Sequence, residues 1–332
     1  MRRYERTEEL PDSNINDSGM TDIRDLTVLP GFVDAHAHIF LHGYSETPTM
    51  NQMRNESLVN RVVRATNYAE EALGLRHADV HFRDTISRGI SPGPRMFVPT
   101  DCIASSSGYE FRHENSLPGV GNSVLRILDT ADGVYGVRAA VHRRLGANAD
   151  IIKSHADYEK RSVYPLFTQK EMDAMVADAR MGRASIAAHA ESLDAIIIAA
   201  KAGVTSIEHS FIANNEALDT MTDNKIIFVP RLSVYDQEPQ GARWGRQARL
   251  RPGGGTGAFP HGDNIRELEL VLAAGIPLAD VLQAAALHGW EACGTSYAAE
   301  IVSFDGHRFK DPGALRRVGF IMKDGQIYKN GA

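Results

Sequence analysis

The residues that could do chemistry begin with two histidines that a single alanine separates, His36 and His38. They follow an apolar run, and the pattern predicts a first strand and its loop over residues 28–40. In extended backbone, residues i and i+2 project to the same side, so the two imidazoles would stand together. Imidazole binds zinc and neighbouring first-row metals well, and this pair would supply half of a metal site. Alone, the motif has low specificity, since two histidines also meet by chance in loops.

Three further candidates each stand at the end of a predicted strand: Lys153 after residues 149–152, His189 after residues 185–188 and His209 after residues 204–208. The carboxyl ends of parallel strands open on one face of a sheet or barrel, so these side chains would converge with the first histidine pair. On its own, the lysine would more often be a surface residue just past a strand, and each histidine could be a satisfied core residue. The agreement among the strand ends is therefore what predicts a metal site formed by His36, His38, Lys153, His189 and His209.

Lys153 has a second chemical role open to it in such a site. A desolvated lysine loses its proton readily and becomes nucleophilic. Its neutral amine could then react with carbon dioxide and form a carbamate, an anionic ligand that bridges two metals. We therefore expect Lys153 to serve both as a metal ligand and in catalysis, with His155 as a neighbour that could line the pocket.

Strands that alternate with helices must position these side chains. Apolar spacing predicts helices over residues 57–73, 131–145, 168–180, 192–202, 264–274 and 278–292. Thr168 and Glu171 fit a capping box at the start of one helix, and Gly203 fits the end of the next. Such alternation is typical of an α/β fold with a parallel sheet, either a TIM barrel or a doubly wound sheet. The last apolar stretch, residues 318–328, alternates around a Lys-Asp-Gly turn and predicts a β-hairpin.

Composition limits the classes of protein. The 332 residues are 43% hydrophobic and 23% charged, as in soluble globular proteins, and the net charge of −6 gives no general attraction to nucleic acid or anionic membranes. No apolar run is long enough to span a bilayer, and residues 1–6 are charged and lack the apolar core of a signal peptide. Cys102 and Cys293 are isolated, which disfavours a disulfide framework and favours a reducing, cytoplasmic compartment. We expect a small-molecule substrate, neither nucleic acid nor membrane as a partner, and a chain that could form a homo-oligomer.

With their neighbours, these residues resemble the amidohydrolase superfamily, most closely its imidazolonepropionase-like and prolidase-like branch. That branch includes metal-dependent carboxypeptidases and fungal ochratoxin-degrading amidases. The matching segments are residues 29–38, 149–158, 187–190, 206–209 and 256–270, so that the resemblance spans residues 28–293. It implies a (β/α)₈ TIM barrel over residues 31–299 and a small β-sandwich built from residues 1–30 and 300–332.

The same resemblance assigns roles residue by residue and implies one or two divalent metals, with zinc expected. His36 and His38 match the ligands of the first barrel strand. Lys153 matches the carbamylated lysine of the fourth strand, and His189 and His209 match the ligands of the fifth and sixth strands. The implied reaction is metal-dependent hydrolysis of a C–N bond in a small substrate such as a dipeptide, an N-acyl amino acid or a cyclic amide.

The chain departs from the family pattern in ways that bear on catalysis. Gly255 stands where the eighth strand should end in an aspartate that binds metal and moves the proton. Residues 240–252 are too short and basic for a helix and an apolar strand, and residues 73–79 lack the usual second strand. These departures predict an incomplete barrel in which strands 2 and 8 are poorly represented. Asp263 is the nearest replacement acid in the sequence.

Other positions and other functions stay open. We expect Tyr158 and His261 to contact substrate. An alternative to an active enzyme is a catalytically impaired relic, or a mis-spliced form, that binds metal without efficient turnover. A doubly wound nucleotide-binding protein is disfavoured, because residues 30–38 are not a glycine-rich phosphate loop and the glycines at 253–255 follow no apolar strand.

Overall fold

Two β-sheets, one parallel and one antiparallel, organise the chain. The structure is a computed structural model, and it describes residues 21, 23, 26–67, 77–108, 128–157, 165–210, 213–235, 249–250, 261–295, 300–305 and 312–331. The predicted α/β architecture is confirmed as an incomplete, barrel-like (β/α) arrangement. Within the described residues, no helix is both long enough and apolar enough to cross a membrane.

The parallel sheet contains seven strands and follows a first strand, β1 (Leu26–Pro30), that does not belong to it. Its strands are β2 (Cys102–Ala104), β3 (Leu128–Thr130), β4 (Ile151–His155), β5 (Ser185–Ala190), β6 (Ser206–His209), β7 (Ile227–Val229) and β8 (Arg249–Leu250). The spatial order is β3-β2-β4-β5-β6-β7-β8, so β3 and β8 are the edges of the described sheet. The two-residue β8 pairs with β7 and is all that the described residues contain of the poorly represented eighth strand.

Helices cover this sheet. They are α1 (Thr49–Asn55), α2 (Leu58–Asn67), α3 (Ala78–Ser87), α4 (Gly133–Gly146), α5 (Gln169–Met181), α6 (Leu193–Ala202), α7 (Asn215–Asp223), α8 (Ile265–Ala273), α9 (Leu278–Gln283) and α10 (Gly289–Ala292). Residues 284–288 between α9 and α10 form a π-helix, and residues 232–235 and 312–316 form 3₁₀ helices. The predicted capping box is present, since the Thr168 hydroxyl accepts from the Glu171 amide while the Glu171 carboxylate accepts from the Thr168 amide. Gly203 ends α6 in the left-handed region, as its position indicated.

The core lies between the sheet and helices α4 to α8. Alternate residues of the strands, among them Ile152, Ile186, Ile207 and Phe228, are fully or almost fully buried against the helices. Because side chains alternate across a strand, the residues between them face the other side of the sheet, where the candidate ligands lie. The same hydrophobic packing that attaches the helices therefore fixes which strand residues are available for chemistry.

The antiparallel sheet joins the two ends of the described chain. Strand β1 pairs with β9 (Ile301–Asp305), and β9 pairs with β10 (Val318–Lys323), which continues into β11 (Gln326–Asn330). Asp324 and Gly325 both have positive φ in the predicted hairpin turn, which matches the twist of the flanking strands. The division of the chain at residues 30 and 300 into two domains stays a prediction.

One sequence expectation about the first strand is wrong. The strand before His36 and His38 ends at Pro30 and belongs to the antiparallel sheet, not to the barrel. In residues 31–48, all of which the structure describes, the backbone forms neither strand nor helix. The apolar residues up to Pro30 form β1, which pairs with β9. An irregular segment, not a strand, then leads from Pro30 to His36 and His38.

The π-helix holds this irregular segment. The carbonyl oxygen of Ala285 accepts from the Val33 amide at 2.9 Å, and Trp290 Nε1 donates to the Gly31 carbonyl at 3.3 Å. A π-turn shifts the intrahelical hydrogen bonds and leaves carbonyl groups available for such outside partners. Gly289 permits the approach, because a Cβ there would lie 2.4 Å from the Cβ of Val33.

We expect Gly289→Ala to lower the free energy of unfolding by about 1–3 kcal/mol, the usual cost of overpacking a fitted contact. Gly146→Ala is the matched control, because a Cβ at that helical position meets nothing within 4 Å. The control should be neutral or stabilising by up to about 1 kcal/mol. Urea denaturation of both variants measures the difference. Equal stability of the two variants would contradict the close packing of α10 on Val33.

Candidate metal centre

The structure brings all five predicted metal ligands together. His36, His38, Lys153, His189 and His209 are each at most 8% exposed. The Nε2 atoms of His36 and His38 lie 3.3 Å apart. The ring centroid of His209 lies 5.5 Å from that of His36 and 4.3 Å from that of His189.

Two of these side chains face the site because of ordinary strand alternation. Lys153 on β4 pairs in register with Ala187, and His155 pairs with His189 on β5. Side chains of paired residues share a face of the sheet, so Lys153, His155 and His189 all point away from the helices. His155 is buried, and its ring centroid lies 5.3 Å from that of His189, so it lines the cluster as the sequence suggested.

On β6 the same alternation selects a residue that the sequence analysis passed over. His189 pairs in register with Glu208, which places the Glu208 carboxylate on the ligand face. By alternation His209 would share the face of Ile207, which packs against the helices. His209 instead has a φ of 71°, and this left-handed backbone allows its ring to join the cluster. Counting two residues along β6 would have identified Glu208.

Glu208 connects three parts of the site. Its Oε2 lies 2.8 Å from Nδ1 of His36 and forms an ion pair with Nζ of Lys153, and the residue is 2% exposed. A carboxylate this close to one ring nitrogen favours a proton on that nitrogen and helps to orient a metal-binding histidine. The contact leaves His36 Nε2 directed at His38 Nε2, so the carboxylate both neutralises the lysine and orients the histidine pair.

Arg231 is the second residue that the sequence analysis missed. It follows β7 after Pro230, its Nη1 lies 3.1 Å from Nε2 of His209, and it is 6% exposed. Its φ of 53° is again left-handed. The buried Glu267 carboxylate on α8 holds the next turn by accepting from the amides of Leu232 and Ser233, each at 2.8 Å. The position of Arg231 just beyond the end of a parallel strand could have identified it as a candidate site residue.

Electrostatics keep the imidazoles neutral. Burial lowers the pKa of His36, His38, His189 and His209 well below the ordinary value of 6.5, and the positive charges of Arg231 and Lys153 lower it further. Burial and Lys153 lower the pKa of His155 to about 3. A neutral imidazole keeps the lone pair that a metal needs, whereas a protonated one does not.

The donor set fits a divalent metal. Ligand atoms of His36, Glu208 and His209 lie within 4.8 Å of one another, and all three residues are buried. Among the described residues, the Nδ1 atoms of His38 and His209 have no hydrogen-bond partner. Buried polar atoms normally find partners, so these unpaired imidazole nitrogens beside this group are consistent with a site that an ion occupies.

The remaining predicted residues lie outside this cluster or outside the described chain. The Asp263 carboxylate pairs with Arg316 at 2.7 Å and its side chain is 43% exposed, so the expectation that it handles protons at the site is not supported. Its neighbour Asn264 instead donates to Asp34 at 2.6 Å. His261 Nε2 donates to the Leu41 carbonyl at 2.7 Å, and its contact with substrate stays a prediction. Tyr158 and Gly255 lie outside the described residues.

We expect Glu208→Gln to lower the free energy of unfolding of metal-free protein by about 3–5 kcal/mol, because it leaves the Lys153 ammonium buried without its counter-charge. Glu216→Gln, at an exposed position in the first turn of α7, is the matched control and should cost no more than about 1 kcal/mol. Urea denaturation at pH 7.5 with a chelator measures both. A loss below 1 kcal/mol for Glu208→Gln would contradict the compensating role of this carboxylate.

The neutral imidazoles also predict how stability depends on pH. Below pH 6.5 the unfolded chain takes up protons that the folded chain refuses, so the free energy of unfolding of metal-free protein should fall as the pH falls. Each such histidine contributes up to about 1.4 kcal/mol per pH unit. Glu267, whose pKa burial raises to about 7, contributes the opposite slope, because its folded state holds a proton that the unfolded state releases.

His189→Asn should therefore flatten this dependence between pH 6.5 and 5, while leaving the Glu267 contribution in place. His81→Asn, at an exposed position of α3, should keep the wild-type slope. Urea denaturation at several pH values gives the slopes. A wild-type slope in His189→Asn would mean that this imidazole is protonated in the folded protein.

The chain is similar in sequence to known proteins and to a protein family model. The model of the amidohydrolase family matches residues 27–238, which is more than half of the chain. An ochratoxinase from Aspergillus niger is 32% identical over 111 residues, which are 32% of this chain and 23% of that protein. An imidazolonepropionase from Haloarcula marismortui is 26% identical over 253 residues, 66% of this chain and 56% of that protein. The chain thus aligns with less than two thirds of the length of either relative.

Solved structures resemble the chain over most of its length. A Xaa-Pro dipeptidase with bound methionine in its active site superposes with a TM-score of 0.80 at 25% identity, covering 97% of this chain and 91% of that one. The ochratoxinase of Aspergillus niger superposes with a TM-score of 0.73 at 18% identity, covering 91% and 83%, which shows a shared fold. The matched family model, the parallel sheet and the cluster of imidazoles at its strand ends agree, and the chain belongs to the amidohydrolase family.

Proposed function

We propose that this protein is a metal-dependent hydrolase of C–N bonds in small substrates such as dipeptides, N-acyl amino acids or cyclic amides. The observation that carries the proposal is the convergence of four buried imidazoles and one buried lysine beside the ends of parallel strands. Similarity to a Xaa-Pro dipeptidase and to an imidazolonepropionase supports a small substrate with an amide-type bond.

The metal would be held within the cluster of His36, His38, Lys153, His189 and His209, with His36 and His38 as its first ligands, and zinc suits their imidazole nitrogens. A divalent metal at this place supplies Lewis-acid polarisation of a carbonyl group and makes a nearby water molecule more acidic. The chain supplies the orientation. The Glu208 carboxylate, 2.8 Å from Nδ1 of His36, favours the tautomer with its proton on Nδ1 and so leaves the Nε2 lone pair for the metal.

Carbamylation of Lys153 belongs to the same proposal and needs a proton transfer first. As an ammonium ion paired with Glu208, the lysine has no lone pair with which to attack carbon dioxide. Transfer of one ammonium proton to Glu208 would give a neutral amine beside a neutral acid. The amine nitrogen then bonds to the carbon of CO₂ as one C–O π bond becomes the carbamate oxyanion, and the second N–H proton passes to water, which leaves the carbamate anion beside an uncharged Glu208.

A second candidate function is a metal-binding relic without efficient turnover. The observation that favours it is Gly255 at the position where the family resemblance places a proton-carrying aspartate. Asp263 does not replace that aspartate, because Arg316 holds its carboxylate at the surface. Removing a group that transfers protons typically costs about 10²–10⁴-fold in rate, so this difference decides between slow and rapid turnover.

The test is hydrolysis of dipeptides and N-acyl amino acids by zinc-loaded protein, followed by release of the amino acid. We expect turnover that a chelator abolishes and zinc restores, because the metal supplies the electrophile. His38→Asn should lower kcat/KM at least about 10²-fold. His142→Asn, with a side chain 61% exposed on α4, is the control and should keep wild-type activity. Turnover that survives both the chelator and His38→Asn would contradict the proposal.

Gly255→Asp separates the two candidates. If the wild type binds zinc but hydrolyses none of these substrates, and Gly255→Asp gains activity, the relic reading is correct. If the wild type already turns over and the added carboxylate raises kcat by no more than a few-fold, the protein is an active hydrolase that moves the proton with another group.

A further inference from the structure

The guanidinium of Arg231 occupies the candidate metal centre itself. Its Nη1 lies 3.1 Å from Nε2 of His209. A guanidinium carries donors and no acceptor, so in this contact Arg231 donates and the imidazole nitrogen accepts. The contact therefore fixes the direction of the hydrogen bond even though ring hydrogens are not observed.

This hydrogen bond uses the electron pair that a metal would need from His209. A neutral imidazole has one nitrogen that accepts and one that carries a proton. When Nε2 accepts from Arg231, the proton lies on Nδ1, and neither nitrogen has a lone pair left for a metal. His209 can bind Arg231 or a metal, but not both at once.

The placement of Arg231 is built into the fold. Its left-handed backbone, with φ of 53°, is unfavourable for a side chain of this size. The buried carboxylate of Glu267 maintains the turn through the amides of Leu232 and Ser233. A buried carboxylate and a strained residue at the end of β7 thus combine to direct a permanent positive charge at His209.

The two halves of the cluster differ in what they leave for a metal. Nδ1 of His36 lies 2.8 Å from Glu208, and its Nε2 shares a hydrogen bond with Nε2 of His38. Unlike a guanidinium, His38 can move its proton to its own Nδ1, which has no hydrogen-bond partner among the described residues, and both Nε2 atoms then present lone pairs to a metal. His209 lies on the other half, beside His189, with its acceptor nitrogen taken by Arg231. A single ion on the His36 half satisfies the first pair without disturbing the guanidinium.

We infer that Arg231 takes the place of a second metal, so that the centre holds one divalent ion near His36 and His38 and a guanidinium beside His209. The inference rests on the proposed metal-dependent function and specifies its metal count. The guanidinium supplies the second positive charge that a two-metal centre would direct at a substrate carbonyl or carboxylate. Unlike a metal ion, the guanidinium has no coordination position at which a substrate atom or water could bind.

Metal stoichiometry tests this inference without an activity assay. Protein stripped with chelator, reloaded with excess zinc and desalted should contain one zinc per chain by mass spectrometry of the metal. Arg231→Met removes the donor and should raise the content to two. Arg138→Met is the matched control, since Arg138 lies on α4 and pairs with Asp178 away from the cluster, and it should keep one zinc. If Arg231→Met fails to fold by circular dichroism, Arg231→Gln replaces it with the same expectation.

The zinc content distinguishes a failure of the proposed role of Arg231 from a failure of the proposed metal-dependent function. Two zinc ions in the wild type would overturn the role of Arg231 and leave the hydrolase proposal intact, with the arginine displaced by metal. One zinc in both the wild type and the Arg231 variant would also overturn it, because the guanidinium would not be what limits the count. No zinc in the wild type would overturn the metal centre and, with it, the proposed function.

Discussion

One buried carboxylate, that of Glu208, allows the rest of the centre to exist. The described cluster contains two permanent or readily formed cations, Lys153 and Arg231, at 5% and 6% exposure. Burying a charge costs several kcal/mol unless an opposite charge and hydrogen bonds offset the lost hydration. Glu208 offsets the charge of Lys153 directly and lies 2.8 Å from Nδ1 of His36, so it links β4, β6 and the segment after β1. The imidazoles contribute no further charge because burial keeps them neutral.

The strand ends show a second constraint, the departure from extended backbone where the ligands are presented. His209, Ser210 and Arg231 all have φ between 51° and 71°, in a region that side chains other than glycine rarely adopt. Strain of this kind persists where surrounding contacts over-determine it, and it concentrates at functional sites. Here the contacts are specific. Ser210 donates through its hydroxyl and its amide to the Ala190 carbonyl, and Glu267 holds the turn that follows Arg231.

How much could be read from the sequence depended on which rule governed each residue. The parallel order of the strands predicted that Lys153 and His189 would meet, and the register of β4 and β5 places them on one face; the capping box and hairpin turn were local signals that the structure keeps. His209 reached the cluster for a reason the sequence does not state, its left-handed backbone. Alternation along β6 could have predicted that Glu208 faces the site, but the neighbouring His209 was the more obvious candidate ligand.

Other features depended on contacts between distant parts of the chain. Arg231 was not singled out because an arginine after a strand is usually a surface residue, and the turn that follows it is held by Glu267, 36 positions later. The barrel strand expected to lead into His36 is not formed, because the apolar run ends at Pro30 in the antiparallel sheet and its pairing partner, β9, lies far along the chain. Asp263 lies close in sequence to a family motif, but its carboxylate pairs with Arg316 and not with the cluster, which sequence position alone could not predict.

The irregular path of residues 31–38 explains how an incomplete barrel can still hold its first ligand pair. A barrel strand would fix these histidines through a ladder of backbone hydrogen bonds to its neighbours. Here the support comes from the carboxyl-terminal half of the chain: the Val33 amide donates to Ala285, Gly31 accepts from Trp290, and Asp34 joins Asn264 to the His36 amide. The final restraint is the side-chain contact of His36 with Glu208. The geometry of the pair therefore depends on helices α8 to α10 and on β6, so the loss of ladder pairing at this position does not by itself remove the metal site.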